Sequence, residues 1–457
     1  MEKVRIQDDL YNNVNGEWLE TAVIPDDKPT VGGFSDLATG VEKTLIEDLK
    51  TMSHESKTPN KYMDEAIKLF NAVMDTKKRN RKGAKPVLKT LKFIPKIKDL
   101  KTLNRKLPQF VYNNLALPIS IGVNEDMKDS NINRIYVSGP STILPDAVYY
   151  KEGMEKTKEQ LLAIWKSMTT EVMKLTKLSP EEQAQYIEDT LKFDALIAKY
   201  VKTREEWSEY TKIYNPVKTR RFNSLVKPLK TKKLLKTLYT ELPEIIVIQE
   251  PRYFKNFKEV FNENTFTLYI HWAYVTELLG STSLLSEKIR ELGSTYRRAI
   301  TGVAKISPVD KYAYGLVGRY FSEPLGLYYG EKYFGEEAKK DIVSMVKEII
   351  ETYKKRVMSN DFLEASTKEK AVLKLSTMKI KMGYPDSVEE IYDKLIYDEK
   401  LSVFANATNF EKIKFLDDCA KLNRKVDRGE WVMPAHMVNA CYNPFSNDIT
   451  FPAAILQ

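Results

Sequence analysis

Side chains that could bind a metal or attack a substrate are few in this sequence. Histidine occurs three times in 457 residues, at His54, His271 and His436. A hydrolytic zinc site needs about three protein ligands, and two histidines four residues apart on one helix commonly supply two of them. None of the three histidines has a partner at that spacing. We therefore predict no catalytic residue and no metal ligand in this chain, and expect each histidine to be a surface or packed residue.

The two cysteines, Cys419 and Cys441, are too few for a disulfide framework in a chain of this length. A bridge between them is the less favoured alternative. The first residues carry the charges of Glu2, Lys3 and Arg5 and are not followed by the apolar segment of a secretory signal. Both features favour a reducing compartment, and we predict a cytoplasmic location.

The net charge of +9 and the lysine clusters at 77–82 and 227–236 raise the question of nucleic-acid binding. In the second cluster the lysines alternate with Leu234, Leu235 and Leu238 at helical spacing, which is typical of a solvated helix face. No zinc-finger or RNA-binding signature accompanies them. The apolar run 245–248 is far too short to cross a bilayer. We therefore predict neither a nucleic acid nor a membrane as partner.

Most of the chain shows helical patterns with clear start signals. Ser179-Pro180-Glu181-Glu182 is a capping box with proline at the first helical position, and it predicts a helix that continues to about Tyr200. A second helix is predicted by apolar residues at intervals of three and four, which we expect to face a core. These residues are Ile342, Met345, Val346, Ile349, Ile350, Tyr353 and Val357.

A further helix is predicted to begin at Ser366, with Glu369 as the capping partner. Gly383 followed by Pro385 is expected to end it, because glycine lacks a Cβ and proline lacks an N–H.

The last residues change from helical to alternating periodicity. Val438, Ala440 and Tyr442 share one face of an extended segment, residues 443–448 favour a turn, and Ile449 and Phe451 follow. This pattern predicts a β-hairpin.

Several short motifs occur in an order that resembles the neprilysin family of zinc metallopeptidases, closest to its bacterial endopeptidase O type. Asp8-Asp9-Leu10-Tyr11-Asn12-Asn13-Val14-Asn15-Gly16-Glu17-Trp18-Leu19 with Val23-Ile24-Pro25 is similar to the N-terminal signature of the family. Asn439-Ala440-Cys441-Tyr442 and Phe451-Pro452-Ala453-Ala454-Ile455-Leu456-Gln457 are similar to its substrate-binding strand and the residues after it. Between them lie Leu144-Pro145-Asp146, Tyr149-Tyr150, Tyr214-Asn215, Lys332-Tyr333-Phe334, Thr367-Lys368 and Gly383-Tyr384-Pro385-Asp386.

This resemblance implies a mainly α fold. A large helical lid domain would be joined to the β-hairpin-containing start of an α+β, thermolysin-like catalytic domain. We expect an N-terminal arm at residues 1–44 that packs on the catalytic domain, the helical lid at 45–400, and the first part of the catalytic domain at 401–457.

In the family, the zinc-binding helix with its His-Glu-x-x-His motif lies just beyond the residues that end here at Gln457. We therefore expect this chain to be the N-terminal portion of such a peptidase, without its zinc ligands. The apolar segment 449–456 is then expected to be exposed, because the zinc helix should cover it.

The resemblance assigns substrate binding to Asn439 and Ala440. Asn439 would hydrogen-bond the substrate backbone through its side chain, and Ala440 would make a main-chain contact, as in strand addition to a sheet edge. A conventional hairpin without binding function is the open alternative. Cys441 departs from the aromatic residue that is common in relatives.

A second departure follows Val23-Ile24-Pro25, where neprilysin has arginines that reach the C-terminal side of the substrate. Thr30 and Ala38 stand at these places, which favours an endopeptidase acting on oligopeptides over a dipeptide-releasing enzyme.

Two functions remain open. The chain is either a portion of a zinc metalloendopeptidase, whose partner is the missing C-terminal catalytic portion, or a catalytically inactive peptide-binding or interaction protein. In both cases we expect the 457 residues alone to be inactive.

Overall fold

The computed structural model describes residues 4–239, 241–422 and 424–457, and the fold is mainly α, as predicted. The helices before the first strand are α1 (Leu10–Thr21), α2 (Gly33–Glu55), α3 (Lys61–Met74), α4 (Thr76–Lys82), α5 (Lys85–Leu91) and α6 (Leu100–Tyr112). The next are α7 (Glu155–Met173), α8 (Pro180–Ala198), α9 (Arg204–Ser208), α10 (Thr219–Leu225), α11 (Thr231–Leu238), α12 (Pro251–Lys255), α13 (Phe257–Val260), α14 (Phe266–Ser281), α15 (Glu287–Gly293) and α16 (Thr295–Thr301). The last are α17 (Val309–Tyr320), α18 (Ser322–Tyr329), α19 (Gly335–Met358), α20 (Ala365–Ser376) and α21 (Val403–Lys421).

The strands form two small sheets. They are β1 (Ser120–Glu125), β2 (Asn133–Ser138), β3 (Asn215–Lys218), β4 (Ile245–Ile248), β5 (Lys379–Gly383), β6 (Cys441–Asn443) and β7 (Asp448–Pro452). The first sheet has the order β1-β2-β4-β3, with β2 and β4 parallel and the other pairs antiparallel. The second has the order β5-β7-β6, in which β5 is parallel to β7 and β6 is antiparallel to it. The second sheet contains the predicted hairpin.

The buried apolar side chains form two clusters. The first core surrounds the first sheet and is built by residues of α5–α8 and α10–α15. The second core joins α2, α3, α17 and α18 to residues of the second sheet region, including Ala435, Ala453 and Ala454. Helix α21 contributes to both, through Phe404 and Cys419 to the first and through Phe410 to the second. The division of the chain at residues 44/45 and 400/401 stays a prediction.

The start of α8 confirms the predicted capping box. Glu182 N–H donates to the Ser179 hydroxyl at 3.2 Å, and Ser179 N–H donates to the Glu182 carboxylate at 2.7 Å. The helix begins at Pro180 and ends at Ala198, close to the predicted end.

The start of α20 lies one residue from the prediction, but the cap by Ser366 and Glu369 does not form and the predicted end is wrong. The helix begins at Ala365 after Glu364, whose backbone carbonyl accepts from Thr367 N–H at 3.0 Å. It ends at Ser376, so Gly383 ends strand β5 and not a helix. Gly383 has φ +77°, and a Cβ there would lie 2.9 Å from the ring of Phe334. The glycine is therefore required by close packing and a left-handed backbone.

The apolar stripe of α19 is not in a core, contrary to the prediction. No residue of this helix is buried among the described residues, and Met345, Ile349 and Tyr353 are 50%, 49% and 60% exposed. Its principal neighbours are α20, β5 and the π turn Gly330–Phe334. An amphipathic pattern identifies an apolar face, but it does not supply the element that covers the face.

Three of the short motifs have structural roles. Asp146 accepts hydrogen bonds from Val148 N–H at 2.9 Å and from Arg204 N–H at 3.1 Å, and the Tyr150 hydroxyl donates to Asp194. These contacts tie the segment to α8 and α9. Lys332 and Tyr333 both contact the carboxylate of Asp48, at 2.7 and 2.6 Å, and so join the π turn to α2.

Within the part of the chain that the structure describes, no helix combines the length and the apolar character needed to cross a bilayer.

Candidate functional site

The candidate site is an edge of the second sheet. Strand β6 pairs with β7 on one side, with Cys441 opposite Thr450 and Asn443 opposite Asp448. In the described residues no strand pairs with the other side of β6. An edge strand of this kind offers main-chain N–H and C=O groups with which an extended chain can pair.

Asn439 and Ala440, the predicted substrate-binding residues, lead directly into β6. The ladder with β7 stops at Cys441. Continuing the register would put residue 439 opposite Pro452, which has no N–H to donate, so the ladder has a physical reason to end there. The main chain of these two residues lies beyond the ladder, at the open edge of the sheet.

The side chain of Asn439 is exposed, and its oxygen accepts a hydrogen bond from Ala440 N–H at 2.8 Å. Asn439 N–H donates to the carbonyl of Met437 at 3.1 Å. The Nδ2 group of this exposed side chain makes no hydrogen bond within the described residues, so it is available as a donor. The carbonyl of Ala440 is the neighbouring main-chain acceptor.

A buried ion pair supports this edge. Lys381 of β5 lies 3.0 Å from Asp448 of β7. Lys381 also donates to the carbonyl of Glu430 at 2.5 Å, and Asp448 accepts from the hydroxyls of Ser446 and Thr450. A buried charge is stable only when it is paired and hydrogen-bonded, and this network meets both conditions. The sequence alone did not indicate this pair, because the alternation of polar and apolar residues in both strands puts Lys381 and Asp448 on the polar face.

The turn between β6 and β7 is clamped from outside the sheet. The guanidinium of Arg428 donates to the carbonyl of Ser446 at 2.8 Å, to that of Asn447 at 3.2 Å and to that of Thr377 at 2.9 Å. The clamp fixes the turn and therefore the direction in which β6 presents its free edge.

Cys441 is half-buried and forms no disulfide; Cys419 is buried and is also a free thiol. Burial raises the pKa of both thiols, which for Cys419 reaches about 11. Both are therefore protonated near neutral pH and are poor nucleophiles.

His436 lies three residues before Asn439 and packs against α17 and α18. Its Nδ1 is buried and has no hydrogen-bond partner among the described residues. Burial lowers the pKa of His436 to about 4. A Cβ on Gly326 would lie 2.8 Å from Ala435 N and 3.4 Å from His436 Nδ1, so this close approach requires glycine. His436 is a neutral, packed residue beside the site.

The end of the chain packs more closely than its sequence predicts. Ala453 and Ala454 are buried, and Ala454 N–H donates to the carbonyl of Ala435 at 3.0 Å. Gln457 donates to the carbonyl of Tyr333 and accepts from the Tyr329 hydroxyl, at 2.6 and 2.7 Å. The expectation of an exposed apolar segment is wrong, because residues 449–456 are buried or half-buried and α2, the π turn Gly330–Phe334 and β5 pack against the turn that holds the two alanines.

An open groove of about 530 Å³ lies between the start of α2 and the chain end, and is lined by Leu37, Val41, Tyr329 and Gln457 among others. Thr30 and Ala38 are both exposed, and neither lines this groove.

The three histidines are not brought together. His54 is exposed at the end of α2. In the first core, His271 Nδ1 lies 2.8 Å from Asp189, and its ring stacks on Tyr186. In residues 4–239, 241–422 and 424–457, no three His, Cys, Asp or Glu side chains lie close enough together to hold a metal ion.

Known proteins match this chain over nearly its whole length. A sequence model described as "Peptidase family M13" matches residues 6–385. The neutral endopeptidase of Lactococcus lactis subsp. lactis is 38% identical over 454 residues, which cover 99% of this chain and 72% of the relative. A putative zinc metalloproteinase of Streptococcus gordonii is 35% identical over 99% of this chain and 80% of its own length. The crystal structure of PepO from Lactobacillus rhamnosis HN001 superposes with a TM-score of 0.94 at 33% identity, covering 99% of this chain and 72% of that one.

Proposed function

The chain belongs to peptidase family M13, and from this premise we propose that it serves in the zinc-dependent hydrolysis of peptide bonds within oligopeptides. In this proposal the chain supplies the helical lid and the strand on which the substrate is aligned. The relative from Streptococcus gordonii, which is described as a zinc metalloproteinase, supports the choice of metal.

The observation that carries the proposal is the open edge of β6 next to Asn439 and Ala440. An extended peptide that pairs with this edge gains main-chain hydrogen bonds, and its backbone is held in one register. Asn439 Nδ2 would donate to a substrate carbonyl, and the carbonyl of Ala440 would accept from a substrate N–H. The free side of the sheet thus orients a peptide without selecting strongly for its side chains.

The described residues do not provide the metal site itself, because they contain no suitable group of ligands. When it is bound, zinc supplies an activated water in such peptidases. This chain's own part is to bind and orient the peptide, and the ligands would come from a C-terminal catalytic portion like that of the relatives.

A second candidate is a peptide-binding or interaction protein without catalysis. It is favoured by the same lack of grouped metal ligands in the described residues, together with the intact edge strand. The two candidates share the binding step and differ only in cleavage.

We further propose that the arm, the lid and the start of the catalytic domain divide at residues 44/45 and 400/401. The free thiols of Cys419 and Cys441 support a cytoplasmic location. Exposed Thr30 and Ala38 would leave the substrate's C-terminal side without a fixed cation.

The test measures binding and cleavage separately. A fluorescein-labelled oligopeptide reports binding by fluorescence anisotropy, and a quenched version reports cleavage with and without added zinc. Binding by the 457-residue chain that is weakened by Asn439→Ala supports the strand proposal. Zinc-dependent, chelator-sensitive cleavage on addition of the C-terminal portion of a relative supports the peptidase, and binding that cleavage never follows supports the second candidate. No binding, or binding that Asn439→Ala leaves unchanged, would overturn the role of this edge.

A further inference from the structure

The positive charge of the chain is concentrated in two segments. Residues 85–106 contain eight lysines and arginines and one acidic residue, Asp99, and residues 218–236 contain eight more with no acidic residue. This excess is larger than the net charge of +9 of the whole chain, so the rest of the chain is net acidic. Such an asymmetry creates a local field that attracts anionic partners.

The two segments meet on one side of the first core. Buried Asn104 of α6 accepts from Lys230 N–H at 2.6 Å and donates to the carbonyl of Pro228 at 3.2 Å. The Thr231 hydroxyl donates to Asn223 at 2.6 Å. The loop between α10 and α11 is therefore held in place by the protein's own hydrogen bonds.

None of the sixteen cationic side chains makes an ion pair or a hydrogen bond within the part of the chain that the structure describes. Fifteen are exposed, and Lys106 is half-buried. Elsewhere exposed lysines do find carboxylates, as Lys340 does with Glu336 at 2.5 Å. The lack of internal partners leaves the full charge of these residues available to a ligand.

A groove of about 760 Å³ lies within this surface, and we call it the lysine groove. Its lining residues are Asn223, Lys227, Pro228, Leu229, Lys230, Thr231, Lys232, Lys233, Lys236 and Thr237. Half of them are lysines, and none is acidic. The accessible apolar part of the lining comes from Pro228 and the methylene stems of the lysines, while Leu229 is buried. Lysine stems commonly cover apolar surface while the ammonium groups stay in water.

We propose that the lysine groove binds an acidic oligopeptide that also carries apolar side chains. The ammonium groups at the rim would pair with the carboxylates, and the apolar lining would take the apolar side chains. The groove belongs to the first core and is separate from β6, so this proposal does not rest on the proposed function.

Other anionic partners fit these observations less well. No large apolar or aromatic side chain of the two segments is exposed, so nucleobases have no ring on which to stack. Without an exposed apolar or aromatic side chain, the two segments also have no group to insert into a bilayer. A flat membrane surface does not reach the floor of a groove. A fully charged phosphodiester chain makes no use of the apolar lining.

The test uses the full 457-residue chain and a fluorescein-labelled peptide of repeated Glu-Glu-Leu. Fluorescence anisotropy should show binding that weakens with added NaCl, and the triple variant Lys227→Glu, Lys230→Glu, Lys233→Glu should weaken it by about tenfold or more. The matched control is Lys347→Glu, Lys355→Glu, Lys370→Glu, which makes the same charge change on exposed lysines of α19 and α20 and should change binding by less than about threefold. The corresponding glutamine variants of the groove lysines keep the test valid if the glutamate variant does not fold.

Several results would overturn the proposal. The first is that the peptide does not bind, and the second is that the groove variants bind it as tightly as the parent chain. The third is an equal loss of affinity in the control variant, which would mean long-range attraction without a groove. A double-stranded DNA oligonucleotide and phosphatidylglycerol vesicles are tested in the same way. If one of them binds, the groove variants lose that binding and the peptide does not bind, the surface belongs to that other class of partner. Because cleavage is not measured, any of these outcomes leaves the peptidase proposal intact.

Discussion

Lys381 and Asp448 form a buried ion pair between neighbouring strands of the second sheet. Their side chains are 4% and 1% exposed, and the Lys381 Nζ to Asp448 Oδ2 distance is 3.0 Å. Asp448 is also the ladder partner of Asn443, at the end of the edge strand β6. The pair therefore links β5 and β7 at the point from which β6 is positioned, and the candidate substrate edge depends on it.

We expect Lys381→Met to lower the free energy of unfolding by about 3 to 5 kcal/mol, because it leaves the Asp448 carboxylate buried without a cation. Replacing both partners, as in Lys381→Met with Asp448→Leu, should recover most of that loss. Urea unfolding followed by circular dichroism measures both. The control is Lys340→Met, which breaks an exposed pair with Glu336 and should cost less than about 1 kcal/mol. Equal losses for the two lysines would show that the pair does not stabilise the sheet.

We expect Asn439→Asp to weaken oligopeptide binding about two- to tenfold, because the carboxylate can still accept from Ala440 N–H but has no group to donate to a substrate carbonyl. Asn439→Ala should weaken binding to a similar extent. Fluorescence anisotropy with a labelled oligopeptide measures the affinities. Asn264→Ala, which changes an exposed asparagine before α14, is the control and should bind like the parent chain. An Asn439→Asp variant of unchanged affinity would argue against donation by Nδ2.

The half-buried ring of His436, whose Nδ1 is fully buried, predicts a loss of stability in acid. Burial lowers its pKa to about 4, so the unfolded chain, with an ordinary pKa of about 6.5, takes up the proton first as the pH falls. The contribution of neutral His436 is present above pH 6.5 and declines toward pH 4. Relative to His436→Gln, the parent chain should lose roughly 2 kcal/mol of unfolding free energy between pH 7 and pH 5.

Urea titrations at both pH values measure this difference. The matched control is His54→Gln at an exposed position. The same pH dependence in the parent chain and in His436→Gln would contradict the prediction.

The carboxyl of Glu323 predicts the opposite behaviour at higher pH. Burial raises its pKa and also that of Glu389, whose N–H donates to Glu323 at 3.0 Å. The folded chain therefore keeps a proton that the unfolded chain releases, and stability falls as the pH rises through the raised pKa. Glu323→Gln imitates the neutral acid. Between pH 6 and pH 9 the unfolding free energy of the variant should therefore fall less than that of the parent chain, and the difference should exceed about 1 kcal/mol.

Thermal or urea unfolding across this range measures the effect. Glu348→Gln on the exposed surface of α19 serves as control and should keep the slope of the parent chain. If Glu323→Gln also keeps that slope, the carboxyl is not protonated in the folded chain.

Features that depend on neighbouring residues along the chain were predictable from the sequence. The capping box at Ser179 formed as expected, because all its donors and acceptors lie within four residues. The turn residues 443–448 and the alternation around them indicated the hairpin of β6 and β7. The ordered motifs indicated the family, and they include both residues of the candidate site, Asn439 and Ala440.

Features that depend on distant residues were decided by the tertiary structure. The stripe on α19 has the same periodicity as a core helix, yet none of its residues is buried in the described structure, because α20 and β5 cover it only in part. Gly383 has the residue type of a helix end, yet it ends β5, where the ring of Phe334 leaves no room for a Cβ. Lys381 and Asp448 are separated by 67 residues, and Asn104 and Lys230 by 126. Local periodicity and capping act over one or two turns of chain, whereas burial and pairing of charges arise only when packing removes water from both partners.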